Sequence, residues 1–509
     1  MNRTIWILGD QLSRDHPALA TSDRAVDRVL FIESRKRGAH LRYHRQKLVL
    51  IYAAMRHFAR ELEAEGWQVD YHQLGSTDDF SQGWDRHLAS GGSRHVLMAA
   101  PNNLFEQHAI TAIGKALDLD VHFLPPVQFV VARDDFAAWA SGRKQLRMED
   151  HYRRMRAELG VLLDENGKPE GGSWNYDPEN RRTFRDWHKD APTEPPPPPG
   201  EKPDALTQEV IAAVDQNFPD APGEATGFWL PVTRDAALRW LDRFVTERLS
   251  NFGNYQDLML AGERTLFHSV LSPLINVGLL GPMECVTAAV DAYRSGRAPL
   301  AAVEGFVRQI IGWREFINGV YWLRMPEYAE LNALGADRDL PEFFYTGETD
   351  LHCLHQTLTQ VIDTGYNHHI QRLMILGNFL LLTGVRPSEA LRWFTEMYVD
   401  AYEWVMAGNV IGMALHADGG YLGSKPYAGA AAYISKMSNY CSDCAYDPKQ
   451  KSGPGACPFN LLYWSFYDQH QDRFVKNPRT AMIVRSWRKR PAAARDTIVR
   501  EAHEFLSEL

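Results

Sequence analysis

Four cysteines in the second half of the chain have the spacing of a metal site. Cys441, Cys444 and Cys457 form a C-x2-C-x12-C-P pattern, and Cys353 precedes them. Two sulfurs three residues apart can reach one ion, and a proline after a cysteine, here Pro458, recurs among iron–sulfur ligands. The pattern therefore predicts a metal site for either zinc or an iron–sulfur cluster. Four buried thiols packed as small apolar groups are the alternative.

The redox compartment decides between disulfides and metal ligands. The segment MNRTIWILGDQL lacks a charged region followed by an apolar one, so we expect no signal peptide and a cytoplasmic location. Thiols stay reduced in the cytoplasm, where clustered cysteines indicate metal binding or catalysis. Cys285 stands apart in the apolar segment MECVTAAV and is predicted to be a core residue.

Histidines and a candidate ion pair lie between these cysteines. His368 and His369 are adjacent in TGYNHHIQRLMI, Arg372 follows them, and Asp400 lies further along the chain. An imidazole exchanges protons near neutral pH, as general acid–base catalysis requires. A hydrogen-bonded core histidine and ordinary surface ions are the alternatives at these positions.

Composition indicates an ordinary globular protein. The chain has 509 residues, of which 45% are hydrophobic and 23% charged, so about three domains are expected. Its apolar runs are shorter than the ~20 residues that a membrane span needs. A net charge of −9 does not indicate a nucleic-acid-binding protein. Basic clusters at 181–185 and 485–490 are either contacts to a polyanion or solvated faces.

Short β-rich segments alternate with helical ones up to residue 125. The predicted strands are TIWILGD, RVLFIES, QVDYHQL, HVLMAAP and VHFLP, and residues 42–66 form a predicted helix that ends at Gly66. Such alternation predicts a parallel, Rossmann-like sheet, which binds ligands at the carboxyl ends of its strands. Gly9, Asp10, Gln11 and Glu33 lie there. Gly9 and Asp10 could equally be turn residues, and the sequence has no G-x-G-x-x-G motif.

The rest of the chain is predicted to be helical. Residues 1–130 form the expected α/β domain, 131–230 a linker between domains, and 231–509 a large all-α domain. Within the linker, PTEPPPPPGEKP is expected to be extended, in the polyproline II conformation.

Several motifs in the helical half resemble the photolyase/cryptochrome flavoprotein family. FHSVLSPLINVGLL resembles its flavin-phosphate segment, and FVRQIIGWREFINGVYW and TGYNHHIQRLMI resemble two of its helices. The four cysteines and QFVVARDDFAAWASGRKQLRMEDHYRRMR are similar to the subgroup of bacterial cryptochromes and (6-4) photolyases with an iron–sulfur cluster. The match runs from residue 3 to about residue 490.

The resemblance implies three cofactors and an electron path. It implies FAD in the helical domain, a [4Fe–4S] cluster on the four cysteines, and a 6,7-dimethyl-8-ribityllumazine antenna near Gly9, Asp10, Gln11 and Glu33. Trp393 and Tyr345 occupy positions similar to electron-hopping residues. The residues assigned to flavin binding are Tyr255, His268, Ser269, Val270, Leu271, Ser272, Gln309, Arg314, Arg372, Asp400 and Met406.

The histidine pair separates two kinds of repair. Cyclobutane-dimer photolyases resemble this helix but have Asn after the first His, whereas (6-4) enzymes have a second His, as at His368 and His369. The resemblance thus implies light-driven repair of (6-4) photoproducts, with His369 as the proton donor, by a monomer that binds damaged duplex DNA with the lesion flipped out and does not bind membranes. The residues expected near DNA are Asp257, Tyr427, Lys436, Arg182, Arg485 and Arg488.

Three departures from the family leave a second hypothesis open. Leu373 stands where animal-type (6-4) enzymes have a further His, Met406 lies near the expected flavin N5, and Phe394 beside Trp393 is hard to oxidise. The alternative is therefore a bacterial cryptochrome, a blue-light receptor without repair activity.

Overall fold

The computed structural model describes residues 2–190 and 194–509 and begins with a parallel five-stranded sheet. The strands are β1 (Thr4–Trp6), β2 (Arg28–Ile32), β3 (Gln68–His72), β4 (His95–Ala99) and β5 (Asp120–Leu124). Their order is β3-β2-β1-β4-β5, and Ile5 lies opposite Val29 of β2 and Leu97 of β4. The order reverses between β1 and β4, so residues after β1 lie at the switch point where α/β sheets bind ligands. The predicted α/β class is confirmed.

Helices connect the strands and cover the sheet. The longest, Arg45–Ala64, is followed by Gly66 in a left-handed conformation at φ 93°, which glycine adopts without steric cost. The predicted end of this helix at Gly66 is therefore correct to within two residues. The helices of this part are Pro17–Ala20, Arg35–Gly38, Arg45–Ala64, Phe80–Ala89 and Leu104–Ala116.

The segment between the sheet and the helical half is partly folded. Its helices are Arg133–Ala140, Met148–Leu159, Phe184–Asp190 and Ala205–Asn217. The last of these buries Val210 and Val214, and Phe218 after it stacks on Tyr52 at 6.2 Å between ring centroids. In the proline run, Pro192 and Thr193 lie outside the described residues, and 194–204 contains neither helix nor strand. The division into three domains stays a prediction.

The second half of the chain is helical, as predicted. Within the described residues 234–509, the secondary structure consists of successive helices, and the β-structure is limited to isolated bridges. None of the helices in the described ranges is both long and apolar enough to cross a membrane. The α-helices are Arg234–Arg243, Leu249–Tyr255, Ser272–Val277, Pro282–Arg294, Leu300–Val307, Glu315–Arg324, Phe343–Thr346, His352–Thr364, Asn378–Thr383, Pro387–Met397, Glu403–Met406, Ala431–Met437, Pro458–Gln469, Gln471–Phe474, Ala481–Arg488 and Ala492–Ser507.

Several helices widen locally into π-helical turns. These segments are Phe244–Arg248, Arg308–Arg314, Gln371–Gly377 and Ala407–Ala414. Such turns are rare and often occur at functional sites. Three of them contain or adjoin predicted flavin residues: Gln309 and Arg314, Arg372, and Met406. The irregular backbone thus falls where the sequence motifs place the site.

Candidate active site

A cluster of three histidines lies at the end of the helix His352–Thr364. This helix ends at Gly365 in a left-handed conformation, and the chain then carries His368 and His369 into the next turn. The buried ring of His368 stacks on His268 at 4.5 Å with 6° between planes, and His369 meets His268 edge-on at 5.5 Å. The structure therefore brings two predicted catalytic residues against a predicted flavin residue.

The three rings differ in exposure. Burial and the neighbouring His369 lower the pKa of His268 well below its ordinary value. Burial and both other rings do the same for the pKa of His368, so both buried rings are neutral near pH 7. His369 is 50% exposed, and its Nε2 lies 3.4 Å from Asp257 Oδ1. Within this cluster His369 is the ring that an outside molecule can reach.

A buried ion pair lies one helical turn from the histidines. Arg372 donates from Nη1 to Asp400 Oδ1 at 2.9 Å and from Nη2 to Oδ2 at 3.1 Å. Ser272, the first residue of the helix Ser272–Val277, donates to Asp400 Oδ2 at 2.6 Å. Burial opposes the charge on Arg372, but Asp400 holds the pKa of the guanidinium above its ordinary value. The pair joins three segments of the chain.

The predicted flavin-phosphate segment has a strained backbone. Val270 has φ 53° and Leu266 has φ 44°, a left-handed conformation that is rare for bulky and β-branched residues. Strain of this kind costs about 1–3 kcal/mol at each position and clusters at ligand sites. His268, Ser269 and Leu271 lie around Val270 in this bend, which leads into the helix Ser272–Val277. The local geometry favours a ligand at this helix start.

Arg314, another predicted flavin residue, is linked to the ion pair through Asn276. Arg314 is buried, donates to the carbonyl of Gln128 at 2.6 Å, and has its Nη2 3.5 Å from Asn276 Oδ1. Asn276 in turn donates to the backbone carbonyl of Asp400 at 2.9 Å. Arg314 is thereby connected to the ion pair. Of the remaining predicted flavin residues, Tyr255 and Met406 are buried and Gln309 is half-buried.

Aromatic rings extend from the ion pair through the buried interior. The Arg372 guanidinium lies 4.0 Å from the centre of the Tyr398 ring. Tyr398 lies 5.9 Å from the fully buried Trp393 and 5.6 Å from Phe394, on which it stacks. Tyr345 is half-buried. Tyr398, which no sequence motif marks, thus joins Trp393 to the site, whereas the hydroxyl of Tyr345 donates to Glu396 at 2.7 Å.

The four cysteines converge from separate segments. Cys353 lies in the helix His352–Thr364, Cys441 and Cys444 lie in and after the short turn Tyr440–Asp443, and Cys457 directly precedes the helix Pro458–Gln469. Burial, followed by the charges of the other three thiols, raises the pKa of Cys353 well above its ordinary value. This mutual influence shows that the four side chains share one neighbourhood. Cys285, as predicted, is a buried residue of a different core.

Residues at the switch point of the sheet face a buried polar region. The Asp10 carboxylate accepts a hydrogen bond from Asn102 at 3.0 Å, and burial, with a smaller contribution from Glu106, raises the pKa of Asp10 to about 7. Gln11 donates to the carbonyls of Ala99 and Ala100, both at 3.1 Å, at the end of β4. These two predicted antenna residues therefore occupy the ligand-binding edge of the fold.

The other two predicted antenna residues have internal packing roles. A Cβ at Gly9 would lie 2.5 Å from Ile51, so only glycine allows the close approach of this strand end to the helix Arg45–Ala64. Both oxygens of Glu33 bind Arg56, at 2.7 and 2.9 Å, and the hydroxyl of Tyr71 donates to it at 2.6 Å. Arg37 forms an ion pair with Glu106 at 3.2 Å, and its positive charge lowers the pKa of Asp10. The sequence prediction did not include Arg37.

The predicted DNA-contact residues fall into two groups. Asp257 lies beside His369, and Tyr427 lies near Arg479 and Arg181, whose charges oppose the rise of its pKa on burial. Arg479 was missed, because a lone arginine in a polar segment carries no motif. The second group is exposed on the surface and consists of Arg182, Lys436, Arg485 and Arg488. Of these, Arg488 already pairs with Asp472 at 3.1 Å.

Comparisons with known proteins agree with this architecture. A model of the family "Deoxyribodipyrimidine photo-lyase-related protein" matches residues 5–230. A (6-4) photolyase of Agrobacterium fabrum is 41% identical over 514 residues, which cover 100% of both chains. An uncharacterized protein of Acanthamoeba polyphaga mimivirus is 36% identical over 101 residues, 20% of this chain and 75% of that protein. A crystal structure of a bacterial class III photolyase from Agrobacterium tumefaciens covers 98% of this chain and 91% of its own, with TM-score 0.58 and 16% identity.

The fold, a parallel sheet followed by a large helical half, is that of a photolyase. The full-length identity to a photolyase shows that this chain belongs to the photolyase family. The solved structure supports the fold alone, because its sequence identity is low. The predicted family membership and the prediction of a lyase are therefore confirmed.

The ion pair yields a stability prediction. Replacing Asp400 by Asn leaves the buried Arg372 guanidinium without its carboxylate, which we expect to cost about 3–5 kcal/mol. The thermal midpoint and the flavin content of the purified variant should both fall. Glu389→Gln is the matched control, since it breaks the exposed pair with Arg392 at 2.7 Å and should cost about 1 kcal/mol or less. Equal midpoints for the two variants would contradict the structural importance of the pair.

Proposed function

We propose that this protein is a light-driven (6-4) photolyase that restores pyrimidines from (6-4) photoproducts in DNA. The observation that carries the proposal is the position of His369, half-exposed beside two neutral buried histidines and next to Asp257. The full-length relative named (6-4) photolyase supports the same reading. A (6-4) lesion carries a hydroxyl that must return to the neighbouring pyrimidine, and an imidazole can supply the required proton.

The residues present fit FAD. Val270 has the strained backbone of a ligand segment, and Arg372 and Asp400 form a fixed ion pair beside it. Arg314 Nε is buried and has no hydrogen-bond partner among the described residues, although buried polar atoms ordinarily have one. When bound, FAD would supply the light-driven electron. The protein holds the ion pair, excludes water and places the proton donor.

His369 acts at the mouth of the site. Asp257 lies within reach of its Nε2 and orients the ring, as carboxylates do for catalytic histidines. The lesion must leave the duplex to reach this ring. Lysine and arginine side chains around the mouth then bind phosphates, so that DNA binding weakens with added salt. The exposed Arg182 and Lys436 are our candidates, together with Arg181 and Arg479 near Tyr427.

We also propose a [4Fe–4S] cluster on the four cysteines. Four thiolates are the ordinary ligand set of this cluster. The resemblance of the four cysteines to the iron–sulfur subgroup, with Pro458 directly after Cys457, favours this cluster over a single zinc ion.

A lumazine antenna is proposed for the switch point of the sheet. Asp10 has a pKa of about 7 there, so its carboxyl group is partly protonated near neutral pH and can donate as well as accept a hydrogen bond. Asn102 and Gln11 supply further polar atoms at the same edge. These groups suit a heteroaromatic ring with amide-like edges.

The cluster can be tested without light. Anaerobically purified protein should contain about four iron atoms per chain. Cys441→Ser should lower both iron content and soluble yield, because the cluster joins three segments. Cys285→Ser, which changes a buried thiol outside the group, should keep its iron. Zinc in place of iron, or full iron content in Cys441→Ser, would refute the assignment.

The role of His369 can be tested by substitution. His369→Asn keeps hydrogen bonding but cannot transfer a proton at neutral pH, so we expect repair of a (6-4) oligonucleotide to fall by about 10²–10⁴-fold. Flavin content and flavin photoreduction should stay unchanged. The control is His108→Asn, which changes an exposed histidine on the helix Leu104–Ala116. Repair at the unmodified rate in His369→Asn would refute the proton-donor role.

A further inference from the structure

The histidine cluster has a second chemical capacity. His268, His368 and His369 each offer a ring nitrogen, and the three nitrogens lie within 4.8 Å of one another. We propose that this cluster is a transition-metal site, with Zn²⁺ as its test ion, and that an ion bound there occupies the lone pair of His369 and stops its proton transfer. The inference that a bound ion inhibits repair rests on the proposed function. The inference that the three histidines bind an ion rests on their geometry alone.

Polar contacts orient two of the rings for metal binding. His268 Nε2 lies 3.0 Å from the carbonyl oxygen of Gln256, and a carbonyl only accepts, so this nitrogen carries the hydrogen. The Nδ1 lone pair of His268 is therefore free to bind an ion. Asp257 near Nε2 of His369 favours the same tautomer in that ring. Metal-binding histidines ordinarily donate their second nitrogen to a carbonyl or a carboxylate in this way.

The third ring has an unsatisfied nitrogen. His368 Nδ1 is buried and finds no hydrogen-bond partner among the described side chains and backbone. An orphaned nitrogen of this kind is uncommon in folded proteins. His368 Nδ1 is therefore available to a ligand. A metal ion satisfies the requirement, because it binds a lone pair and needs no donor hydrogen.

The donor set selects the kind of ion. Neutral imidazoles suit zinc, copper, nickel and iron, whereas calcium and magnesium prefer oxygen. Three histidines and an open position form the pattern of accessible zinc sites, and the half-exposed His369 gives the ion a path from solvent.

Some movement is required before an ion binds. Nitrogens around tetrahedral zinc lie about 3.3 Å apart, given Zn–N bonds of about 2.0–2.1 Å. The rings of His268 and His368 are nearly parallel, so their in-plane lone pairs run side by side and one ring must tilt. We therefore expect weaker binding than in a preorganised structural zinc site.

Calorimetry and X-ray absorption test the binding. The holoprotein, purified without a histidine tag, is titrated with Zn²⁺, and we expect one equivalent to bind. His369→Ala should weaken binding by at least about tenfold, while His108→Ala should leave it unchanged. The zinc absorption edge should show nitrogen neighbours at about 2.0 Å. Sulfur neighbours at about 2.3 Å, or equal binding by His369→Ala, would overturn the site.

A repair assay tests the consequence separately. Zn²⁺ should inhibit repair by the wild-type protein, and a chelator should restore it. Zinc binding without inhibition, in a protein that repairs DNA, would overturn the inference that a bound ion inhibits repair. If the protein repairs nothing, the proposed function fails, and the calorimetric result still decides whether the metal site exists.

Discussion

The ion pair between Arg372 and Asp400 is the interaction around which the site is assembled. Asp400 also accepts from Ser272, and its backbone carbonyl accepts from Asn276. Arg372 donates to the carbonyl of Asn367, directly before the histidine pair. Two buried charges are stable only when their remaining hydrogen-bonding capacity is satisfied. The pair thus fixes the start of one helix and the turn that carries His368.

One helix connects the two chemical centres. The helix His352–Thr364 carries Cys353 in its first turn and leads through Gly365 to the histidines. A cluster bound to Cys353 would therefore hold one end of the element whose other end presents His369. Burial of His268 and His368 keeps those rings neutral, which is why our proposal assigns proton transfer to the exposed ring of His369. This arrangement explains how a structural cofactor could support the active site without touching the substrate.

The sequence predicted helices and strands better than it predicted which side chains contact each other. The strands and the helix Arg45–Ala64 follow from local apolar patterns and a terminating glycine, and they were predicted. The helix Ala205–Asn217 was missed, because it follows a proline-rich run and owes its burial to packing on a distant helix. Glu33 was chosen for its place after a strand, but its carboxylate turns inward to Arg56. Such long-range pairings leave no local signal.

The candidate site shows the same contrast between local sequence motifs, which were predicted, and long-range contacts, which were not. The cysteine pattern and the His-His pair were visible in the sequence because their members are close in the chain. The stacking of His268 on His368 joins residues 100 positions apart, and Tyr398 reaches Arg372 by tertiary packing. Neither could be derived from spacing.

Direct repair by the wild-type protein tests the central claim most directly. Purified holoprotein with reduced flavin is illuminated with blue light in the presence of an oligonucleotide that contains a single (6-4) photoproduct, and the products are separated by chromatography. We predict that restored pyrimidines appear in proportion to the light dose and that none appear in darkness. Flavin that responds to light while the lesion stays intact would contradict the photolyase assignment and indicate a light receptor instead.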